Sequence, residues 1–119
     1  MSEAQSISEA ERIARELTAF QTNILTILAR EAQYGLAIKR ELEAYYDDEV
    51  NHGRLYPNLD ELVELGLVEK SELDKRTNEY SLTDTGYNAV LDGLQWSLSN
   101  VVTNEKRAAD IRSIIDDQY

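Results

Sequence analysis

The chain has 119 residues, room for one compact domain with a helical extension. Its 23 Asp+Glu against 12 Lys+Arg leave a net charge of −11, and it holds no cysteine and a single histidine, His52. This excludes thiol redox chemistry, disulfides and Cys-ligated zinc, and it argues against a His-based triad or a His-rich metal centre within one chain.

In chain order, Ser6 and Glu9 have the spacing of a capping box and open a first helix with Ile7, Ala10, Ala14 and Leu17 on one face. Thr18 caps a second helix with an apolar stripe of Phe20, Ile24, Ile27 and Leu28. The break Glu31-Ala32-Gln33 leads through Tyr34-Gly35 into a third helix, whose inner face is Leu36, Ile38, Leu42 and Tyr45 or Tyr46. Asp47-Asp48-Glu49 ends it; this acidic run reads as a solvated helix end rather than a metal site. Asn51-His52-Gly53 starts a fourth helix with Leu55, Leu59, Leu62 and Leu65 toward the core, and Pro57 fits its first turn. Gly66 closes it.

The period then changes. Residues 67–73 and 76–82 alternate by twos around a turn at Asp74-Lys75, giving a hairpin. Thr83 caps a long C-terminal helix in which Tyr87, Leu91, Leu94, Leu98 and Val101 recur as a heptad seam, widened by Val90 and Val102. Ile111, Ile114 and Ile115 add a second apolar cluster. The fold class is mainly α with a small β-hairpin, a winged helix-turn-helix with N- and C-terminal dimerisation helices. The expected divisions are 1–17 for the N-terminal helix, 18–83 for the winged helix-turn-helix and 84–119 for the C-terminal dimerisation helix. No run is apolar enough to span a membrane. The polar start Met1-Ser2-Glu3-Ala4-Gln5 is no signal peptide, so the cytoplasm is the expected location.

Three segments resemble the PadR family of transcription regulators. Gly53-Arg54-Leu55-Tyr56-Pro57 through Leu65-Gly66-Leu67-Val68 is similar to the family's Gly-x-Ile/Leu-Tyr-Pro turn and the Leu-Glu-x-x-Gly-Leu that follows. Tyr80-Ser81-Leu82-Thr83-Asp84-Thr85-Gly86 resembles its Tyr-x-Leu-Thr-x-x-Gly after the wing, and Tyr34-Gly35-Leu36-Ala37-Ile38 its entry to the second helix. Together they cover about residues 18–100 in family order. The resemblance implies a DNA-binding regulator and no enzyme or cofactor. It also implies that an aromatic residue on the C-terminal helix, here Trp96, can stack on a planar small-molecule effector between subunits; core or interface packing of Trp96 is the competing reading.

The residues themselves point the same way. Arg54 stands at a helix start, where free N–H groups favour a phosphate, or it reads a guanine edge; as a surface residue it would pair with Asp60 or Glu61. Asn58, one turn on, contacts adenine or is solvated, and Asn51 and His52 flank the turn. Gly53 permits close backbone approach. Tyr56 either sends its hydroxyl to a phosphate or is buried structure. Lys75, Arg76 and Thr77 at the wing suit phosphate or minor-groove contact, against an ordinary solvated turn. Gln33, Tyr34 and Lys39 are secondary candidates.

Between Val50 and Leu82 seven carboxylates outnumber four cations, which opposes counterion-driven DNA binding in dilute buffer. Eight of the twelve cations are arginines and only Lys39, Lys70, Lys75 and Lys106 are lysines. Such an acidic, lysine-poor shell suits molar salt, where charge is screened within about 3 Å. The expected partners are double-stranded DNA with a pseudo-palindromic operator and a second copy of the chain, joined through Tyr87, Leu91, Leu94, Leu98, Val101, Ile111 and Ile115. The competing reading is an acidic module that binds a protein partner or mimics DNA.

Overall fold

The computed structural model describes residues 7–74 and 77–118. Its elements are α1 (Glu9–Arg15), α2 (Ala19–Arg30), β1 (Gln33–Tyr34), α3 (Gly35–Tyr46), α4 (His52–Glu64), β2 (Val68–Glu72), β3 (Asn78–Leu82), α5 (Asp84–Val101) and α6 (Glu105–Asp116). The capping chemistry expected for α2 and α5 is present. Thr18 Oγ1 accepts the Gln21 N–H at 3.1 Å while the Gln21 side chain accepts the Thr18 N–H. For α1 the cap moves: Ser6 lies outside the described residues, and the capping box is Ser8 with Glu11, each side chain accepting the other's N–H at 3.0 Å. The segment carries two overlapping Ser-x-x-Glu frames, and spacing alone does not choose between them.

The core is built between Phe20 and Tyr80. Ile24, Leu25 and Leu28 of α2 meet Ile38 and Leu42 of α3 and Leu55, Leu59 and Leu62 of α4, with Leu67, Val68 and Tyr80 closing the sheet side. One side chain expected inside is not, and one alternative is decided. Leu36 is 47% exposed, and of the adjacent tyrosines only Tyr46 packs against the core while Tyr45 is solvated. Leu36 sits in the first turn of α3, where Gly35 and Ile38 but not Leu36 are buried, so helical spacing alone overestimates its burial.

The hairpin gains a third strand that no alternation announced. The sheet order is β1-β3-β2, antiparallel throughout, with Gln33 opposite Tyr80 and Val68 opposite Leu82. Two residues carry no readable period; β1 exists because β3 offers it a ladder. Pro57 is also displaced. It is the sixth residue of α4, not a first-turn residue, so the Gly53 carbonyl lacks its usual donor.

Two of the family glycines outside α4, Gly66 and Gly86, meet at one junction for different reasons. Gly66, at φ +78°, terminates α4, with the Leu67 N–H returning to the Leu62 carbonyl at 3.1 Å. Thr83 then ties the end of the hairpin to that turn: its hydroxyl donates to the Gly66 carbonyl at 2.7 Å and accepts the Gly86 N–H at 3.0 Å. A Cβ at Gly86 would lie 2.1 Å from the Leu67 carbonyl oxygen, so only glycine lets α5 start here.

Residues 84–119, expected as one helix, break at Val102–Asn104. Asn104 caps α6 by accepting the Arg107 N–H at 3.0 Å, and the Arg107 side chain donates to the Val101 carbonyl at 3.2 Å. A cap residue inside an apolar pattern ends one helix and starts another. No helix of the described residues is long and apolar enough to cross a membrane.

Candidate nucleic-acid interface

The N-terminal end of α4 projects as an exposed edge: Asn51, His52, Gly53 and Arg54 are all exposed. Asn51 is the N-cap, its Oδ1 accepting the Arg54 N–H at 2.8 Å. Gly53 has an ordinary φ, and a Cβ there would meet only Asn51 Oδ1 at 3.4 Å. Nothing among the described residues demands glycine at that position. His52 stacks on Tyr56, ring centroids 5.5 Å apart and 5° from parallel.

Tyr56 joins two elements. A Cβ at Gly35 would lie 2.7 Å from the Tyr56 hydroxyl, so the missing side chain at the start of α3 makes room for this ring. Tyr34, His52 and Tyr56 are thereby gathered where α3 and α4 begin. Arg54 takes neither course expected of it as a surface residue. It pairs with no carboxylate among the described residues; its guanidinium lies 4.0 Å from the centroid of the Phe20 ring. Phe20 and Tyr46, beneath Arg54, are site residues that sequence reasoning missed. Their signal, an aromatic pair 26 positions apart, has no local period.

Other candidates are placed less favourably for contact. Asn58 gives an Nδ2 hydrogen to the Arg54 carbonyl at 2.7 Å, leaving its oxygen for any partner. Gln33 is buried, 9% exposed, its Nε2 without a partner among the described residues; β1 turns it to the covered side of the sheet, so its expected place on the surface is corrected. Lys39 is tied by its ammonium to Glu43 Oε2 at 2.8 Å, and the same oxygen accepts the Val50 N–H at 2.9 Å. The ammonium first, then the amide, lower the Glu43 carboxyl below its usual value. This contact braces the turn between α3 and α4. Thr77 is half-buried and its carbonyl accepts the Leu73 N–H at 2.9 Å. Lys75 and Arg76 lie outside the described residues. Opposite the buried leucines, α4 shows solvent Asp60, Glu61 and Glu64, without ion-pair partners among the described residues.

On the far side, the α5 seam is open: Tyr87, Leu91, Leu94, Leu98 and Val101 are all exposed, as are Ile114 and Ile115 on α6, while Ile111 is half-buried. α1 is clamped to α5 by Arg15, which donates from Nε and Nη2 to the two Asp92 oxygens at 2.9 and 3.1 Å. Trp96, 70% exposed, edges a cleft of about 690 Å³ between α1, α2 and α5 that Leu17, Leu25 and Val90 also line. Among the described residues no cluster of His, Asp or Glu is arranged to hold a metal.

Some solved structures with this fold are close in sequence and others share only the fold. H. salinarum RosR, in crystals grown from NaBr, is 66% identical, with a TM-score of 0.86 over 88% of this chain and 96% of its own. The complex hsRosR-S4 is 64% identical, with a TM-score of 0.89 over 92% of this chain and 96% of its own. F93 from STIV, a winged-helix DNA-binding protein, shares the fold at 17% identity, with a TM-score of 0.56 over 72% of this chain and 91% of its own. No curated protein sequence matches the chain. The family model described as the transcriptional regulator PadR-like family matches residues 24–91, more than half of the length. The chain belongs to the PadR-like family of transcriptional regulators.

Proposed function

We propose that this regulator is a homodimer that reads a pseudo-palindromic DNA site in concentrated salt. The observation that carries the reading is the exposed start of α4, where Arg54 pairs with no carboxylate among the described residues and stands beside Gly53, whose Cβ position meets only Asn51 Oδ1 among them. That edge admits a close backbone approach and offers in-plane donors to a phosphate or a guanine. His52, Tyr56 and Tyr34 flank it.

The homodimer is supported by the uncovered α5 seam and the apolar side of α6, which leave large side chains in water unless a second copy meets them. Salt adaptation is supported by the net charge of −11 and by the likeness to a protein of H. salinarum. In such a medium counterion release contributes little, and binding rests on hydrogen bonds and fit.

A second reading, an acidic protein-binding or DNA-mimicking module, is favoured by the carboxylates Asp60, Glu61 and Glu64 on the outward face of α4. Fluorescence anisotropy with genomic duplexes in ~2 M KCl separates the two. Saturable binding to selected fragments, with a shallow, flat or reversed salt dependence, is the expected result. Failure to bind any duplex favours the mimic. A log–log slope near −5 would show about five or six neutralised phosphates and overturn the salt-adapted mechanism.

A further inference from the structure

Arg54 is the only Lys or Arg in α4, and the surface beneath it is aromatic. Its guanidinium carbon is 4.0 Å from the Phe20 centroid and 5.9 Å from that of Tyr46. The two rings stack on each other, 6.1 Å apart and 13° from parallel. Both are held from behind. Phe20 is 4% exposed and part of the core. Tyr46 accepts an Nδ2 hydrogen of Asn23 on its hydroxyl at 2.9 Å, and Tyr45 packs edge-on against it at 5.4 Å.

The chemistry of this wall matters more than its shape. A ring face takes the flat side of a guanidinium and leaves the in-plane N–H donors unoccupied. A carboxylate would take those same donors and neutralise the charge. The chain carries 23 Asp+Glu, and Asp47, Asp48 and Glu49 stand in the turn before α4, so carboxylates are close to Arg54 in sequence. Arg54 pairs with none of the described ones.

We infer that Phe20 and Tyr46 are positioning residues for DNA contact by Arg54: the stacked rings keep its guanidinium flat and free of carboxylates, with its edge donors ready for the duplex. This rests on the DNA-binding reading above and adds a cost to losing either ring that the core alone does not explain. An acidic protein thereby protects a cation that its own carboxylates would otherwise quench.

The test is a double-mutant cycle in duplex affinity, measured at high salt on fragments the wild-type protein selects. Urea melts establish that each variant is folded. R54A is expected to bind about tenfold more weakly, and F20L about threefold to tenfold. In the R54A background F20L should cost nothing further; with Arg54 present, F20W, which keeps a ring face, should bind with near-wild-type affinity. Equal losses from F20L in both backgrounds, or a folded F20L with unchanged affinity, overturn the inference while leaving the Arg54 contact intact. An R54A variant with wild-type affinity removes the contact itself and overturns both. Should F20L not fold, Y46L takes its place in the same cycle, where the same coupling is expected and its absence is equally decisive.

Discussion

The winged-helix body and the helices that flank it obey the same local rules and end in opposite states. Between Phe20 and Tyr80 every leucine stripe finds a partner in its own chain, and Ile24, Ile38, Leu42, Leu55, Leu59 and Leu62 are fully buried. In α1, α5 and α6 only Gly86 is buried, and eight of the twelve large apolar side chains exposed among the described residues lie on α5 and α6. The radius of gyration, 16.2 Å, exceeds the about 13.5 Å of a compact chain of this length. Amphipathic periodicity thus makes a helix in either region, but only a second surface makes it a core. For the flanking helices that surface belongs to another copy, in the proposed dimer.

The largest effect should come from charging the open seam. Leu94→Asp is expected to shift sedimentation from dimer to monomer and to weaken operator binding by roughly 100-fold or more, because two half-sites are no longer engaged together. The body should still melt cooperatively. A dimeric Leu94→Asp would move the interface elsewhere. Next, Leu55→Ala in the body is expected to cost about 2–5 kcal/mol in urea unfolding. Leu98→Ala, measured in the monomeric Leu94→Asp background, should cost under about 0.5 kcal/mol. Equal costs would erase the distinction between the regions.

Gly86→Ala probes the joint between them. Its Cβ meets a backbone oxygen rather than a yielding side chain, and a loss of about 1–3 kcal/mol in unfolding free energy is expected. The smallest effect is acid-dependent. Lys39 and the Val50 amide lower the Glu43 carboxyl below the usual 4.5, as the Arg15 hydrogen bond lowers Asp92 below the usual 3.8. A depressed carboxyl stabilises the fold at neutral pH, and that contribution disappears as pH falls through the folded-state value. Glu43→Gln should therefore lower stability near pH 7 and flatten the acid limb of a melting-temperature profile; an unchanged limb would show that the brace between α3 and α4 is idle.

What could be read in advance followed from interactions close in sequence. Thr18 and Thr83 are caps because a side-chain oxygen meets an N–H three residues on, and Gly66 ends α4 at a positive φ that favours glycine. The edge at Gly53–Arg54 followed from a turn signal before a periodic run. Reading failed where the deciding partner is distant. Gln33 was expected at the surface, but pairing with Tyr80 turns it inward. Leu36 kept helical spacing yet is exposed in the first turn of α3, and Pro57 moved from the first turn when the cap fell at Asn51.

By itself, then, the sequence determined most of the helices, the caps at Thr18 and Thr83, the hairpin and the charged edge of α4, since each depends on neighbours within about one turn. The tertiary structure decided which faces are closed and what lies under Arg54. A ring from the start of α2 and a ring from the end of α3 meet a guanidinium from α4 only after the three helices have packed, and no spacing along the chain encodes that meeting.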